Sequence, residues 1–162
     1  MLDKIKSIEN LKPVTHQLKQ QGKKVVFTNG CFDLIHVGHV RILQEAKRSG
    51  DILIVGLNSD SSVRALKGAL RPFVPEEERA EVVAALESVD FVVIFNELDP
   101  LHVITELQPE VLVKGGDWSV DTIVGKDVVE RGGGKVISLP FVEGVSTTTI
   151  INRILASNEH SR

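Results

Sequence analysis

The segment from residue 25 to residue 41 constrains the fold most, because three kinds of local structure follow one another within it. It opens with the apolar, β-branched run Val25-Val-Phe-Thr28, which is typical of a buried strand. Asn29-Gly30 then predicts a turn, so we place the first strand at residues 24–28. From residue 40 onward, apolar residues recur at helical spacing. The segment therefore predicts strand, polar loop and helix, with His36 and His39 where the loop becomes the helix.

The junction between that loop and that helix has the chemistry of an anion site. The first N–H groups of a helix lack partners within the helix, and the helix dipole is positive at that end. A phosphate bound there meets donors already directed at it, and Gly38 lets it approach the backbone closely. His36 and His39 share one helical face and are placed to donate to phosphate oxygens that gain charge in a transition state. Taken alone, each histidine also fits a hydrogen-bonded structural role, and that alternative stays open.

Composition limits the class of protein. The 162 residues fit one domain, and 42% hydrophobic residues supply a core. A formal net charge of −3 argues against a general nucleic-acid binder, so any cationic patch must be local. The single cysteine excludes a disulfide framework and suits a reducing cytoplasm. No apolar run approaches the ~20 residues of a membrane span, and residues 1–6 lack the apolar core of a signal peptide. We therefore expect a cytoplasmic protein that binds neither nucleic acid nor membrane.

Strands and helices are predicted to alternate along the chain. After the first strand, apolar runs predict strands at 51–57, 91–95, 111–113 and 135–139. This alternation predicts an α/β fold, a Rossmann-like doubly wound sheet of five mostly parallel strands with helices on both faces. Such sheets bind ligands beyond the carboxyl ends of their strands, where we expect loops 28–39, 114–118 and 140–148 to share one site. We divide the chain into a helical lead-in (1–22), a main domain (23–156) and a polar tail (157–162).

Local signals predict the ends of the helices. Asn10 is a candidate cap in the lead-in, and Ser59 or Asp60 is a candidate cap for a helix over 61–67. Pro75 opens a helix over 76–87, whose apolar side we assign to residues 82, 83, 86 and 89. A short helix is expected over 123–131. Ser146 is expected to cap the last helix, with Thr147 and Thr148 donating outward to a ligand.

Several short motifs resemble those of one family. The run Asn29-Gly-Cys-Phe-Asp-Leu-Ile-His-Val-Gly-His39 resembles the signature of the cytidylyltransferase-like nucleotidyltransferases. More narrowly, residues 23–156 are similar to the heptose 1-phosphate adenylyltransferases of bacterial lipopolysaccharide synthesis. The supporting stretches are Gly56-Leu-Asn-Ser-Asp60, Leu66-Lys-Gly68, Arg71-Pro72, Glu78-Arg-Ala80, Val113-Lys-Gly-Gly-Asp117 and Val142-Glu-Gly-Val-Ser-Thr-Thr148.

The resemblance implies an enzyme that transfers AMP from ATP to a heptose 1-phosphate, forming ADP-heptose and pyrophosphate. It implies that His36 and His39 contact the nucleotide phosphates, with Lys67 as a third catalytic residue. The expected nucleotide-binding residues are Thr28, Asn29, Gly30, Cys31, Phe32, Asp33, Lys114, Gly116, Ser146, Thr147 and Thr148. The expected substrate-binding residues are Arg71, Arg79, Asp117 and Trp118.

The negative charge of the phosphates is a physical reason to expect the basic residues of this set in the site. At ~4 Å and an effective dielectric near ~20, two like charges repel by about 4 kcal/mol, so cations must offset the phosphates. Lys67 is the first candidate for this role, followed by Arg71 and Arg79. We expect Mg²⁺ to accompany ATP, with Asp117 either holding the ion through water or binding a sugar hydroxyl. The family also suggests a homodimer.

Three residues near the motif have less direct expected roles. Asp33 is expected to cap the following helix or to orient a histidine ring by accepting its second N–H. Cys31 is expected to be a small apolar filler. Trp118 either packs on the acceptor sugar or covers its own loop, and the sequence does not separate these roles.

Two alternatives change the substrates or remove the reaction. A related enzyme would use CTP with glycerol 3-phosphate, or ATP with flavin mononucleotide. Phe141-Val142 and Thr149 stand where glycerol-phosphate cytidylyltransferases carry Arg-Thr and Lys, which favours the adenylyltransferase branch. A nucleotide sensor would bind ATP without releasing pyrophosphate, and the intact histidine pair argues against it.

Overall fold

A computed structural model of the chain describes residues 2–116, 118–140 and 142–159. Within these residues strands and helices alternate, as the sequence predicts. The strands are β1 (Val25–Gly30), β2 (Ile52–Asn58), β3 (Phe91–Phe95), β4 (Val111–Gly115) and β5 (Lys135–Leu139). The α-helices are α1 (Ile8–Gln20), α2 (Val37–Arg48), α3 (Asp60–Lys67), α4 (Glu76–Ala84), α5 (Leu101–Leu107), α6 (Lys126–Arg131) and α7 (Thr147–Glu159).

These strands form one parallel sheet in the order β3-β2-β1-β4-β5. β1 is central, with β2 and β3 on one side and β4 and β5 on the other. The direction of winding therefore reverses between β1 and β4, which is where doubly wound sheets open a crevice at their carboxyl edge. The predicted fold class is confirmed, and the sheet is parallel throughout the described strands.

Apolar clusters cover both faces of the sheet. Val26 of β1 belongs to a cluster on one face, and its neighbours Val25 and Phe27 belong to the cluster on the other face. Burying side chains of this size stabilises the fold by about 1.5–3 kcal/mol each. A Cβ atom at Gly56 would lie 2.6 Å from Phe27 Cζ, so the ring of Phe27 requires a glycine on the neighbouring strand. The central strands are thus rigidly packed, and their carboxyl ends are fixed in space.

Both elements of the opening segment are longer than predicted. Asn29 and Gly30 pair in register with Gly56 and Leu57 of β2, because the hydrogen-bonded ladder overrides the local turn preference. α2 begins at Val37, since His36 has the extended backbone of an N-cap residue at φ −142° and ψ 169°. The loop between β1 and α2 is therefore only residues 31–36.

The predicted helix signals need correction at two places. Ser7, not Asn10, caps α1, because the Ser7 hydroxyl accepts the Asn10 N–H at 3.3 Å. The helix predicted over 123–131 is shorter, since α6 begins at Lys126, and a separate 3₁₀ turn, Val120–Thr122, precedes it. Gly125 separates them with a φ of 90°, a left-handed conformation that suits glycine.

Most of the predicted apolar side of α4 is confirmed, because Val83 and Val89 are buried and Leu86 packs against the core, but Val82 faces outward. Its buried residues are Arg79, Ala80, Val83 and Ala84, whereas Val82 is 47% exposed. The helix also ends at Ala84 rather than at residue 87. The arginine side chain is buried, so the inward face is not the most apolar one. The burial of Arg79 decides the role of this residue, which is described below.

The lead-in contacts the edge of the sheet before α1 begins. Ile5 forms an isolated parallel bridge with Val92 of β3. The Lys6 N–H donates to the Val92 carbonyl at 2.9 Å, and Lys4 Nζ donates to the Val89 carbonyl at 2.6 Å. This segment therefore covers part of the otherwise open edge of β3.

At the other end of the chain, α7 continues into the predicted polar tail as far as Glu159. Residues 160–162 of that tail lie outside the described residues. Across the described part of the chain, every helix is too short or too polar to cross a membrane.

Candidate active site

Side chains from two of the three predicted loops, 28–39 and 114–118, meet beyond the carboxyl ends of β1 and β4. Lys114 at the end of β4 places its Nζ 3.4 Å from Asn29 Oδ1 of β1. The same Nζ lies 5.8 Å from the centre of the Trp118 ring, which is 51% exposed. On the β2 side, Lys67 and Arg71 are close enough to act electrostatically on the Cys31 thiol. The sheet therefore brings the predicted loops after β1 and β4 together, with Lys67 and Arg71 from the connection that follows β2.

His36 and His39 form a stacked pair at the start of α2. Their ring centres are 3.8 Å apart and their planes differ by 24°. The His36 N–H donates to His39 Nδ1 at 3.4 Å, so the neutral His39 ring carries its proton on Nε2. His36 Nδ1 is buried and has no hydrogen-bond partner among the described residues. The pair is thus ordered by packing, and its Nε2–H donor stays free for a ligand.

Burial makes both rings hard to protonate. It lowers the pKa of His39 to about 4, with a smaller contribution from the adjacent His36. Burial also lowers the pKa of His36 below its ordinary value. In the ligand-free chain near pH 7, the histidines therefore act as neutral hydrogen-bond donors rather than as cations.

Gly38 makes room for the ring of His36. A Cβ atom at this position would lie 2.9 Å from His36 Nδ1 and 3.0 Å from His36 Cε1. It would also lie 3.8 Å from Val142 Cβ, so the segment before α7 runs beside the first turn of α2. The glycine between the two histidines is therefore required by the packing of the first ring.

Phe32 packs against the histidine pair. Its ring is buried, and its centre lies 5.2 Å from that of His39. The backbone of Phe32 is left-handed at φ 47°, which costs a residue with a Cβ atom about 1–3 kcal/mol. The sequence predicted a nucleotide contact for Phe32 and gave no sign of this packing role, since nothing in the residue pattern marks a left-handed phenylalanine.

Asp33 corrects a prediction. Its carboxylate neither caps α2 nor reaches a histidine ring. Oδ2 accepts from Arg71 Nε at 2.6 Å, and Oδ1 accepts the N–H groups of Phe73 and Val74 at 2.9 and 3.0 Å. Because both oxygens are used and the side chain is 1% exposed, the Asp33 carboxylate fixes the loop before α4. The nucleotide contact expected through the backbone of Asp33 stays a prediction.

Arg79 also corrects a prediction. Its side chain is 0% exposed, so the expected substrate contact is wrong for this conformation. The guanidinium donates to the carbonyls of Val74, Cys31 and Asn58 at 2.9, 2.5 and 2.9 Å, and to Asp60 Oδ1 at 2.7 Å. We call this set the Arg79 network. It joins the ends of β1 and β2 to the loop before α4, and thereby holds the loop that leads to the histidines.

Sequence reasoning missed Asn58 and Asp60 as partners of Arg79. Asp60 was considered only as a helix cap, but Ser59 caps α3 by accepting the Ser62 N–H at 3.2 Å. The Asp60 N–H in turn donates to Glu76 Oε2 at 2.5 Å. A usable signal did exist, because Arg79 lies next to Ala80 and one helical turn before Val83, on the face that α4 buries.

Two lysines of the site have no carboxylate partner in the described structure, unlike Arg71 and Arg79. Among the described residues, neither Lys67 nor Lys114 has a carboxylate within 4.0 Å. Burial lowers the pKa of Lys114, and the nearby charge of Lys67 lowers it further. Lys67 is the exposed last residue of α3, where the helix predicted over 61–67 ends. Two lysines that interact electrostatically, and that have no carboxylate within 4.0 Å among the described residues, favour binding of a negatively charged ligand.

Cys31 lies at the centre of these charges as a half-buried thiol. Burial raises the pKa of the Cys31 thiol, and this outweighs the opposing effect of Lys67, Arg79 and Arg71. The thiol is therefore protonated, which agrees with the predicted role as a small filler. Thr28 is buried within β1, so its side chain is part of the strand packing.

The third loop leads into α7. Ser146 caps this helix as predicted, because its hydroxyl accepts the Thr149 N–H at 3.0 Å. Thr147 is half-buried and Thr148 is exposed at the first turn. A cavity of about 340 Å³ separates α7 from the β1–α2 loop, with Phe32 and Ile35 on one wall and Ile150 and Ile154 on the other. The start of α7 is thus brought close to the histidine loop.

Two predicted residues between β4 and β5 have different outcomes. The Gly116 N–H donates to the Leu139 carbonyl at 2.7 Å, and the Gly116 carbonyl accepts from Ser138 Oγ at 2.8 Å. Gly116 is therefore occupied within the sheet and shapes the loop, so its predicted nucleotide contact cannot use these backbone groups. Asp117 lies outside the described residues.

Neutral donors at a helix start, close to lysines without a carboxylate partner in the described structure, suit a ligand with several phosphates. On this doubly wound sheet they define a nucleotide-binding α/β domain. A sequence model of the Cytidylyltransferase-like family matches residues 27–153. The chain belongs to the cytidylyltransferase-like family.

Two individual relatives share more than half of their aligned residues with this chain. The chain is 58% identical to "Bifunctional protein HldE" of Geotalea uraniireducens over 151 residues, which cover 93% of this chain and 31% of that protein. It is 57% identical to the protein of the same name from Geobacter metallireducens, over 94% of this chain and 31% of that protein. The chain thus spans less than a third of the length of these relatives.

A solved structure supports the same fold. The lipopolysaccharide core biosynthesis protein from Thermoplasma volcanium superposes with a TM-score of 0.65 and 27% sequence identity. The match covers 75% of this chain and 100% of that one.

Proposed function

We propose that this chain is a heptose 1-phosphate adenylyltransferase, which transfers AMP from ATP to a heptose 1-phosphate and releases pyrophosphate. The observation that carries the proposal is the stacked His36–His39 pair, with a free Nε2–H donor at the start of α2. The similarity to proteins named "Bifunctional protein HldE" and to a lipopolysaccharide core biosynthesis protein supports the choice of substrate.

In the proposed reaction a phosphate oxygen of the sugar 1-phosphate attacks the α-phosphorus of ATP. A new P–O bond forms as the bond from that phosphorus to the β-phosphate oxygen breaks, and the electron pair leaves with pyrophosphate. The attacking oxygen is already anionic, so no base is needed to remove a proton. Catalysis then depends on positioning and on stabilising charge at the leaving group.

The described residues supply both contributions. His39 Nε2–H and the free N–H groups of α2 donate to phosphate oxygens that gain charge as pyrophosphate leaves. Lys67 and Lys114 offset the repulsion between the two negatively charged substrates. Ser146 keeps the first turn of α7 ordered, so that Thr147 and Thr148 face the phosphates with the N–H groups of that turn.

Mg²⁺ is part of the proposal as a companion of ATP. Among the described residues, no group of three or more His, Cys, Asp or Glu side chains could hold a metal. Asp33 and Asp60 are engaged by Arg71 and Arg79, so they do not fit as ligands. Bound through the phosphates, Mg²⁺ would neutralise part of their charge and keep several of its waters.

Two further features are proposed from the sequence. One cysteine in 162 residues suits a cytoplasmic enzyme, and the family resemblance suggests a homodimer. Sedimentation equilibrium of the purified chain tests the second point, since a monomer mass at micromolar concentration would contradict it.

The proposal is tested by measuring pyrophosphate release over a grid of substrates. ATP and CTP are each combined with both anomers of D-glycero-D-manno-heptose 1-phosphate, with glycerol 3-phosphate and with flavin mononucleotide. The fastest turnover is expected with ATP and one heptose 1-phosphate anomer. Faster turnover of CTP with glycerol 3-phosphate would contradict the proposal. Tight ATP binding without pyrophosphate release for any acceptor would instead indicate a nucleotide sensor.

A further inference from the structure

The ion pair between Asp33 and Arg71 leaves half of a guanidinium unused. Arg71 donates only its Nε to Asp33 Oδ2, at 2.6 Å. Its two terminal nitrogens have no hydrogen-bond partner among the residues that the structure describes, although the side chain is only 18% exposed. Its Cζ lies 5.0 Å from the centre of the Phe73 ring. The guanidinium is therefore held along one edge and beside one face, and its outer edge is free.

A free guanidinium edge in fixed orientation suits a phosphate monoester. The two terminal N–H groups can form two parallel hydrogen bonds to two phosphate oxygens, which a lysine cannot do. Orientation by Asp33 lowers the entropy that Arg71 would lose on binding. We propose that Arg71 binds the phosphate of the acceptor sugar 1-phosphate, and that Asp33 is a positioning residue acting through Arg71. This inference rests on the proposed adenylyltransferase function.

The position of Arg71 favours the acceptor over ATP. Arg71 lies in the connection between α3 and α4, which follows β2 on one side of the central strand. Lys114 follows β4 on the other side. α7 does not define that side, because its Ile150 and Ile154 line one cavity with Val74. An in-line displacement places the attacking and leaving oxygens on opposite sides of the phosphorus. If pyrophosphate leaves towards Lys114, the acceptor phosphate approaches from the side where Arg71 lies.

The test uses Arg71→Lys, Asp33→Asn and the double variant of the full chain. Initial rates of pyrophosphate release are measured with heptose 1-phosphate varied at saturating ATP, and with ATP varied at saturating acceptor. Asp33→Asn keeps a side-chain carbonyl that can accept from Phe73 and Val74 but removes the charge that faces Arg71. We expect each single variant to raise the KM for heptose 1-phosphate by about tenfold or more, equivalent to about 1.4 kcal/mol. The KM for ATP should change by less than about twofold.

The double variant separates positioning from an independent role. If Asp33 acts through Arg71, Asp33→Asn should add no further rise in acceptor KM when residue 71 is already lysine. Multiplying effects, or a rise in the KM for ATP instead, would overturn the inference. Arg131→Lys, on the distant α6, is the matched control and should leave both KM values unchanged.

A fold defect in Asp33→Asn would not remove the test. Phe73→Leu deletes the ring beside Arg71 and leaves the Asp33 carboxylate in place, and it should raise the acceptor KM without changing the KM for ATP. An unchanged acceptor KM in both Arg71→Lys and Phe73→Leu would overturn the inference. The failure of the proposed function is distinguishable, because the wild-type chain would then release no pyrophosphate with any heptose 1-phosphate.

Discussion

The Arg79 network and the histidine pair lie within one short loop of each other, yet they treat polar groups in opposite ways. Arg79 is fully enclosed, and its guanidinium is hydrogen-bonded to three carbonyls and one carboxylate. The histidines are packed against each other, with one buried nitrogen lacking a partner in the described structure and with lowered pKa values. Satisfied polar groups build the scaffold, and unsatisfied ones are left for a ligand.

The largest expected effect is a loss of stability when the Arg79 network is broken. Arg79→Met removes a buried cation and leaves Asp60 and three carbonyls without their donor. The free energy of unfolding should fall by about 3–5 kcal/mol, as when one partner of a buried ion pair is removed. Urea denaturation measures it, with Arg131→Met on α6 as a surface control expected within about 0.5 kcal/mol of wild type. A loss below about 1 kcal/mol would mean that the network is not structural.

Removing a histidine of the pair should lower the catalytic rate and leave the stability nearly unchanged. His36→Ala and His39→Ala are each expected to lower kcat by about 10²-fold or more, as removal of an oxyanion donor does. The free energy of unfolding should change little, because these rings make few hydrogen bonds within the protein. His16→Ala and His102→Ala remove histidines of α1 and α5 as controls for kcat. Near-normal turnover in both site variants would reject the assignment.

Gly38→Ala tests the same contrast between catalysis and stability by adding a single methyl group beside His36. The new Cβ would lie 2.9 Å from His36 Nδ1, so the ring must move. We expect kcat to fall by about tenfold or more, since displacement by about 1 Å can cost about 10²-fold. Alanine favours a helix by about 1 kcal/mol over glycine, so stability should be unchanged or higher. An unstable variant would show that Gly38 serves the fold rather than the ring.

The smallest expected effect is the dependence of stability on pH. The folded-state pKa of His39 is lowered to about 4, whereas the unfolded chain has the ordinary value of 6.5. Between these values the unfolded state binds more protons, so the histidine lowers the free energy of unfolding as pH falls from 6.5 towards 4. Urea denaturation at pH 7.5, 6 and 5 should show a smaller decline in His39→Gln than in wild type. Equal declines would contradict the lowered pKa.

Much of the fold could be predicted from sequence because its signals are local and repeated. The third and fifth strands were predicted at 91–95 and 135–139, and β3 and β5 have these bounds. The first strand was predicted two residues short, since turn preference at Asn29-Gly30 is a local property and its pairing with β2 is not. The helix start at Val37 was missed for a related reason, because no apolar periodicity marks the histidine turn.

The site was predictable in position and less so in the role of each residue. The histidines and Lys114 could be placed near one another because their loops follow strand ends, and Lys67 was assigned to the site by its charge and by the family resemblance. Whether an arginine is free or enclosed depends on carbonyls from distant segments, so the sequence assigned Arg79 to substrate. Asp33 was misassigned because its partners are at residues 71–74, about forty positions along the chain.

The short bridge at Ile5 has a consequence for self-association. Val92 belongs to a strand at the border of the sheet, and its carbonyl is bonded to the Lys6 N–H. A shortened chain beginning at Ser7 would uncover hydrogen-bonding groups on a strand of sequence Phe-Val-Val-Ile-Phe, which are the conditions under which β-rich proteins aggregate. Light scattering on warming should rise earlier for this shortened chain than for the intact one. The lead-in, which carries no assigned chemistry, would then be a guard against aggregation.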